Sequence, residues 1–145
     1  MVLLMKIQER VDSSLTEDVT LTLPYSIRQK YRFKASLDNG VEVGVMLPRE
    51  GVLRGGDCLR SDDGTIVRIF AEYERLSIVE SDSSFKLMRA CYHLGNRHVA
   101  LQIGDGWIRY QYDHVLDGMI GQLELSVRHE LLPFEPESGA YHNRN

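Results

Sequence analysis

Polar and apolar residues alternate with a period of two through much of the first half of the chain. Val19 to Leu23 alternates threonine with aliphatic side chains, Arg32 to Leu37 follows, and Val41 to Met46 returns after Asp38-Asn39-Gly40. Asn and Gly tolerate positive φ, so that tripeptide predicts the turn of a hairpin. After Pro48 comes Gly51-Val52-Leu53-Arg54-Gly55-Gly56-Asp57, and Asp62-Asp63-Gly64 makes a second turn. Thr65 to Ala71 is then a strand in which Ile66, Arg68 and Phe70 alternate with Val67, Ile69 and Ala71. The first half therefore predicts a small all-β unit.

From about Leu76 the period changes. Leu76 to Val79 predicts a short strand, and Ser81-Asp82-Ser83-Ser84 offers a helix cap. Phe85 to Leu94 places Leu87, Met88, Cys91, Tyr92 and Leu94 three and four residues apart, as one apolar helical stripe, with Gly95 and Asn96 ending the helix. His98 to Ile103 alternates as a strand, Gly104-Asp105-Gly106 turns the chain, and Trp107 to Tyr112 alternates back. Asp113 can cap a second helix with Val115, Leu116, Met119, Ile120 and Leu123 on its apolar face, and Leu125 to Val127 predicts a closing strand. The order β-α-β-β-α-β is the ferredoxin-like split βαβ pattern. The fold class is α+β, with an all-β domain over residues 1–74 and a ferredoxin-like domain over 75–145. The stretch from Pro133 lacks periodicity and reads as an ordered turn passing into a mobile tail from about residue 139.

Composition narrows the chemistry. With 43% apolar and 26% charged residues, the chain is an ordinary folding sequence and not a disordered one. A formal charge of −4 leaves no basic excess for a phosphate backbone, so nucleic acid is not an expected partner. The opening Met1 to Met5 run meets Lys6 at once, too soon for a signal core or a membrane span, and a cytoplasmic protein is expected. Cys58 and Cys91 form no Cys-x-x-Cys pair and read as small buried hydrophobes.

No phosphate loop, nucleophile elbow or His-Glu-x-x-His helix is present, which disfavours an enzyme. Histidine placement stands out instead: His93, His98, His114 and His129 all follow residue 90, and His142 lies in the tail. Imidazole suits nickel, copper and zinc. His93 and His98 are five apart across a helix end and do not share a helical face. His129, beside Glu130, reads as a solvated strand residue. One chain thus offers scattered imidazoles that could form a metal site only across a subunit boundary; taken singly, a lone histidine is more often a surface or satisfied core residue than a ligand.

The run Ala90-Cys91-Tyr92-His93-Leu94-Gly95-Asn96-Arg97-His98-Val99, followed by Leu101-Gln102-Ile103, resembles the signature of the UreE family of urease nickel chaperones. Leu47-Pro48-Arg49, Leu53-Arg54-Gly55-Gly56-Asp57, Tyr112 to Asp117 and Leu132 to Tyr141 are also UreE-like, so the similarity spans nearly the whole chain. The resemblance implies an N-terminal β domain and a C-terminal ferredoxin-like metal-binding domain, meeting near residues 73 to 76. It also implies a homodimer in which His98 of each subunit contributes one imidazole to a nickel ion at the interface, because a twofold axis presents the same patch twice. Some relatives carry two histidines separated by one residue after the hairpin; here Tyr112 stands at the first position and His114 at the second, leaving His114 as the candidate for an auxiliary site. Many relatives end in a histidine-rich tail, whereas this chain carries there only His142, the candidate for a further ligand.

The function implied is nickel delivery to the urease activation complex, whose GTPase accessory protein receives the metal; zinc or copper would compete, since raw affinity does not select nickel. The alternative is a protein-interaction module of the same complex, in which the β domain of residues 1–74 binds a partner chain or peptide and metal mainly stabilises the dimer. Arg49 and Arg54 of the β half are candidates for partner docking, or are simply turn and solubility residues. Imidazole binds metal only when neutral, so metal affinity should weaken as pH falls through the range of free histidine, ~6.5. Titrations at about pH 7.5 and 5.5 check this; equal affinities would exclude histidine ligation.

Overall fold

The computed structural model describes residues 4–139, which divide into two units, each with its own core. Of the described residues, those up to Glu72, together with Ser138 and Gly139, form the first, and Tyr73–Glu137 the second.

The first unit contains β1 (Met5–Val11), β2 (Val19–Leu23), the single turn α1 (Tyr25–Arg28), β3 (Arg32–Ser36), β4 (Glu42–Met46), β5 (Cys58–Ser61) and β6 (Ile66–Ala71). Its six strands run β2-β6-β5-β1-β4-β3, with β1 parallel to β4 and β2 parallel to β6. Alternation buries Ile7, Leu21, Val43, Val45, Val67 and Ile69 together, as the period-two pattern requires. The turn at Asp38-Asn39-Gly40 forms as expected. Gly40 has φ +90°, Asn39 Oδ1 accepts from the Val41 N–H at 3.0 Å, and the Asp38 carboxylate accepts from Thr20 Oγ1 and Thr22 Oγ1 at 2.6 and 2.9 Å.

Three elements of this unit are absent from the sequence reading. The first strand, β1, lies between β4 and β5 although Lys6, Gln8, Glu9 and Arg10 give it a polar look, and β5 is short. The single turn α1 is held by Arg28, which is fully buried. Its Nε donates to the Leu23 carbonyl and its Nη1 to the Leu53 carbonyl, both at 3.1 Å. Its guanidinium lies 5.7 Å from the Tyr25 ring centroid. A buried cation is tolerable only with such partners. Cys58, as expected, is buried.

The second unit is β7 (Tyr73–Glu80), α2 (Ser84–Asn96), β8 (Gln102–Gly104), β9 (Trp107–Gln111), α3 (His114–Gln122) and β10 (Arg128–Pro133). Its sheet order is β10-β7-β9-β8, antiparallel throughout, which is the ferredoxin-like arrangement predicted from the period changes. Leu87, Ala90 and Leu94 of α2 and Ile120 of α3 pack with Val79, Ile108 and Tyr110 of the sheet. Ser83 Oγ accepts from the Lys86 N–H at 3.2 Å and Asp113 Oδ1 from the Val115 and Leu116 N–H groups at 2.8 and 3.1 Å, so both expected caps are in place.

Several boundaries are corrected. The closing strand is Arg128–Pro133 and not Leu125 to Val127, because Leu125 turns inward as the chain leaves α3 and joins the core. Met88 and Tyr92 do not belong to the buried stripe of α2; with Phe85 they form a second, exposed apolar row at spacings of three and four. Beyond β10, Phe134 is buried, and the Glu137 N–H donates to the Leu101 carbonyl at 2.8 Å, so the expected ordered turn forms. The tail expected to be mobile lies, from Ala140, outside the described residues.

His129 is an exposed strand residue, as expected, but it is also engaged by a carboxylate. His129 of β10 lies opposite Ser77 of β7, and Ser77 lies opposite Tyr110 of β9, so the three occupy one row across the sheet. All three converge on Asp117 of α3: Ser77 Oγ donates at 2.7 Å, Tyr110 Oη at 2.6 Å, and His129 Nε2 approaches Oδ2 at 2.7 Å. Facing an ionised carboxylate, Nε2 carries the hydrogen. Burial pushes the Asp117 carboxyl up, but the hydrogen bonds from Tyr110, His129 and Ser77 together outweigh it, and its pKa ends below the ordinary value. Burial, followed by the bond to Asp117, pushes the Tyr110 phenol far above its ordinary range.

Asp117→Ala strands the buried hydroxyls of Ser77 and Tyr110 and should cost about 3 kcal/mol. Because the folded pKa of Asp117 is depressed, its contribution is fully present above the unfolded carboxyl value of about 4 and is lost as pH falls through the lower folded value. Denaturant unfolding of wild type and Asp117→Asn should therefore show a gap at about pH 7 that narrows toward pH 3. An equal gap at both would disprove the coupling.

Candidate metal centre

Each histidine is positioned by a different local rule. The second helix, α2, runs through Gly95 and Asn96, so neither is the left-handed residue that stops it. That residue is His98, with φ +57°. Its N–H donates to the Gly95 carbonyl at 3.0 Å, and the Val99 N–H donates to the Leu94 carbonyl at 3.2 Å. This pair of bonds is the Schellman ending, with His98 where glycine is usual and Val99 packed against the core that contains Leu94. The expectation that His98 opens a strand is therefore overturned: the strand begins only at Gln102, because residues 97–99 are committed to closing the helix.

The consequence is an exposed imidazole on a fixed backbone. His98 is exposed, and its backbone is held by two hydrogen bonds in a conformation that costs most side chains roughly 1–2 kcal/mol. It also follows the negative end of a thirteen-residue helix, where a cation is favoured. His93 lies one turn earlier, half-buried, with its ring edge-on to Tyr92 at 5.3 Å between centroids.

His114 is the exposed first residue of α3. Asp113 beside it is occupied as the cap, and Tyr112 is engaged elsewhere: its ring meets His129 edge-on at 4.9 Å, and the Arg75 guanidinium lies over it at 3.9 Å. At the first position of the auxiliary histidine pair that the resemblance implied stands instead a ring carrying a positive charge on its face. His142 lies outside the described residues. Among the described residues no three His, Cys, Asp or Glu side chains gather as a metal-holding group, so the structure does not bring His93, His98 and His114 together within one chain.

What the sequence reading missed here is the left-handed residue. The apolar spacing that predicts α2 also marks Leu94 and Val99 as a hydrophobic pair flanking the helix end, which is the Schellman contact. Glycine at position 95 drew attention away from it. Of the two arginines considered for docking, Arg49 lies 5.8 Å from the Tyr31 ring centroid, and Arg54 donates to Ser138 Oγ at 3.1 Å. No helix among the described residues is long and apolar enough to cross a membrane.

Comparison with known proteins covers both units. The model of the UreE urease accessory protein N-terminal domain matches residues 5–72, and that of its C-terminal domain matches residues 74–145. The urease accessory protein UreE of Alkalilimnicola ehrlichii is 55% identical over 138 residues, spanning 95% of this chain and 85% of its own length. Those of an Enterobacter species and of Pseudomonas putida are 51% and 50% identical, over 92% and 91% of this chain and 88% and 83% of their own lengths. With both domains matched in order and half the residues shared along nearly the full chain, this protein belongs to the UreE urease accessory protein family.

Proposed function

We propose that the chain is a nickel carrier in urease maturation, a homodimer that binds one nickel ion between the His98 imidazoles of its two subunits and passes it to the urease activation complex through the GTPase accessory protein. The reading is carried by the placement of His98, an exposed imidazole on a rigid helix ending, with no ligand cluster around it among the described residues. A second copy supplies the second imidazole. The exposed row Phe85, Met88 and Tyr92 on α2 supports association, since such a row favours burial against another surface.

His142 is the proposed supplementary ligand. His114 is the candidate for a weaker auxiliary site, opposed by the guanidinium resting on the neighbouring Tyr112 ring. A sphere built from few protein ligands near the surface leaves positions open, so a receiving protein can add ligands before the imidazoles release. The chain acts on this reading as a carrier and not as a catalyst, and zinc and copper are competitors for the same imidazoles.

The left-handed conformation of His98 separates ligation from structure. Calorimetry should find one nickel per dimer in the wild type, and both His98→Ala and His98→Gly should lose that binding. Metal-free His98→Gly should nonetheless be more stable than wild type by about 0.5–1 kcal/mol, because glycine adopts this φ without strain, whereas His98→Ala gains nothing. Nickel uptake by either variant with unchanged affinity would defeat the assignment.

A further inference from the structure

The outer face of the first unit's sheet carries a basic trough that the metal chemistry does not use. Lys34 of β3 lies opposite Gly44 of β4, and Gly44 lies opposite Lys6 of β1, so two lysines flank a position without a side chain. Arg32 lies opposite Met46 in the same pair of strands. With Leu4, these residues line a cavity of about 520 Å³ that contains no acidic side chain. Among the described residues Lys6, Arg32 and Lys34 have no ion-pair partner, whereas Arg10, Arg60, Arg68, Lys86 and Arg128 all do. Three uncompensated cations thus gather on a chain whose net charge is −4. Met46 adds exposed apolar surface beside them.

From this placement we propose that the trough docks an extended acidic segment of a partner protein. The spacing fits such a segment: Arg32 and Lys34 stand two residues apart on one face of β3, roughly 7 Å, which is the separation of alternate side chains in any extended strand. Lys6 lies across Gly44 on the other flank, two strands over and roughly 10 Å from Lys34. A segment running along β4 sets carboxylates toward both flanks, and the missing Cβ at Gly44 lets its backbone come close to the sheet. An apolar side chain of the segment then rests on Met46 and Leu4. Nucleic acid is the poorer occupant, since three cations on an acidic chain neutralise few phosphates. The docking is independent of the metal proposal and lies in the other unit.

The test uses the full chain and a labelled synthetic peptide in which glutamate alternates with leucine, with a lysine–leucine peptide and a single-stranded oligothymidylate as controls. Anisotropy should show binding of the acidic peptide alone, weakened by salt. Lys34→Glu combined with Lys6→Glu should weaken it at least tenfold. Gly44→Val should also weaken it by filling the trough. Gly44→Ala checks folding, because its Cβ meets only Leu4 Cδ1, at an ordinary 4.0 Å. Nickel stoichiometry measured on the same preparations should not change, which separates failure here from failure of the carrier reading. No binding of the acidic peptide, equal binding of either control, or undiminished binding by the charge-reversed protein would overturn the proposal.

Discussion

A helix that stops must find partners for its last carbonyls, and how α2 does so determines the second unit's functional surface. The Gly95 and Leu94 carbonyls are taken by the N–H groups of His98 and Val99, and Val99 joins the hydrophobic cluster that holds Leu94. Those three constraints leave the intervening residue no freedom except the left-handed one. The direction in which the side chain at position 98 leaves the chain is therefore set by backbone geometry. A histidine here is strained relative to glycine, and strain at a single exposed position motivates a search for what the side chain does.

The end of α3 provides an internal comparison. Glu124 has φ +63°, its N–H donates to the Gly121 carbonyl, and the Leu125 N–H donates to the Ile120 carbonyl, repeating the same motif without glycine. There the side chain has a partner, since Glu124 lies 3.5 Å from Lys86 Nζ. A shared backbone solution thus exposes an anion at one helix end and an imidazole at the other. The α3 helix is fixed from its opposite face by Asp117, whose three donors come from three strands, so its position does not depend on the exposed end.

Legibility followed burial. Strands with one buried face, such as β2 and β6, were plain because alternation reports one-sided burial, and the ferredoxin-like order followed from where the period changed. The strand β1 was obscured because its polar side chains outnumber the buried Ile7, and β5 because it has only four residues. The helix ending was misplaced because glycine at 95 is a stronger local signal than the hydrophobic pair Leu94 and Val99, yet tertiary packing of that pair decides where the helix turns. The partner of His129 was hidden for a related reason. Its neighbours in sequence are charged, and the carboxylate that engages it is twelve residues away on a helix. Single histidines were visible as letters, but which were engaged and which were free to bind was a property of the packed sheet.

That distinction bears on the proposed carrier. His129 is bound to a carboxylate, His93 is partly covered beside Tyr92, and His114 lies near a ring faced by arginine. Each is held or electrostatically discouraged by its own chain. Among the described histidines, His98 alone joins exposure, a rigid backbone and the negative end of a helix. A dedicated site would surround the ion with protein ligands and hold it against exchange, as closed structural sites do. On the proposed reading one imidazole per chain does the opposite, because the site forms only when two chains meet and its remaining positions stay open to a receiving protein.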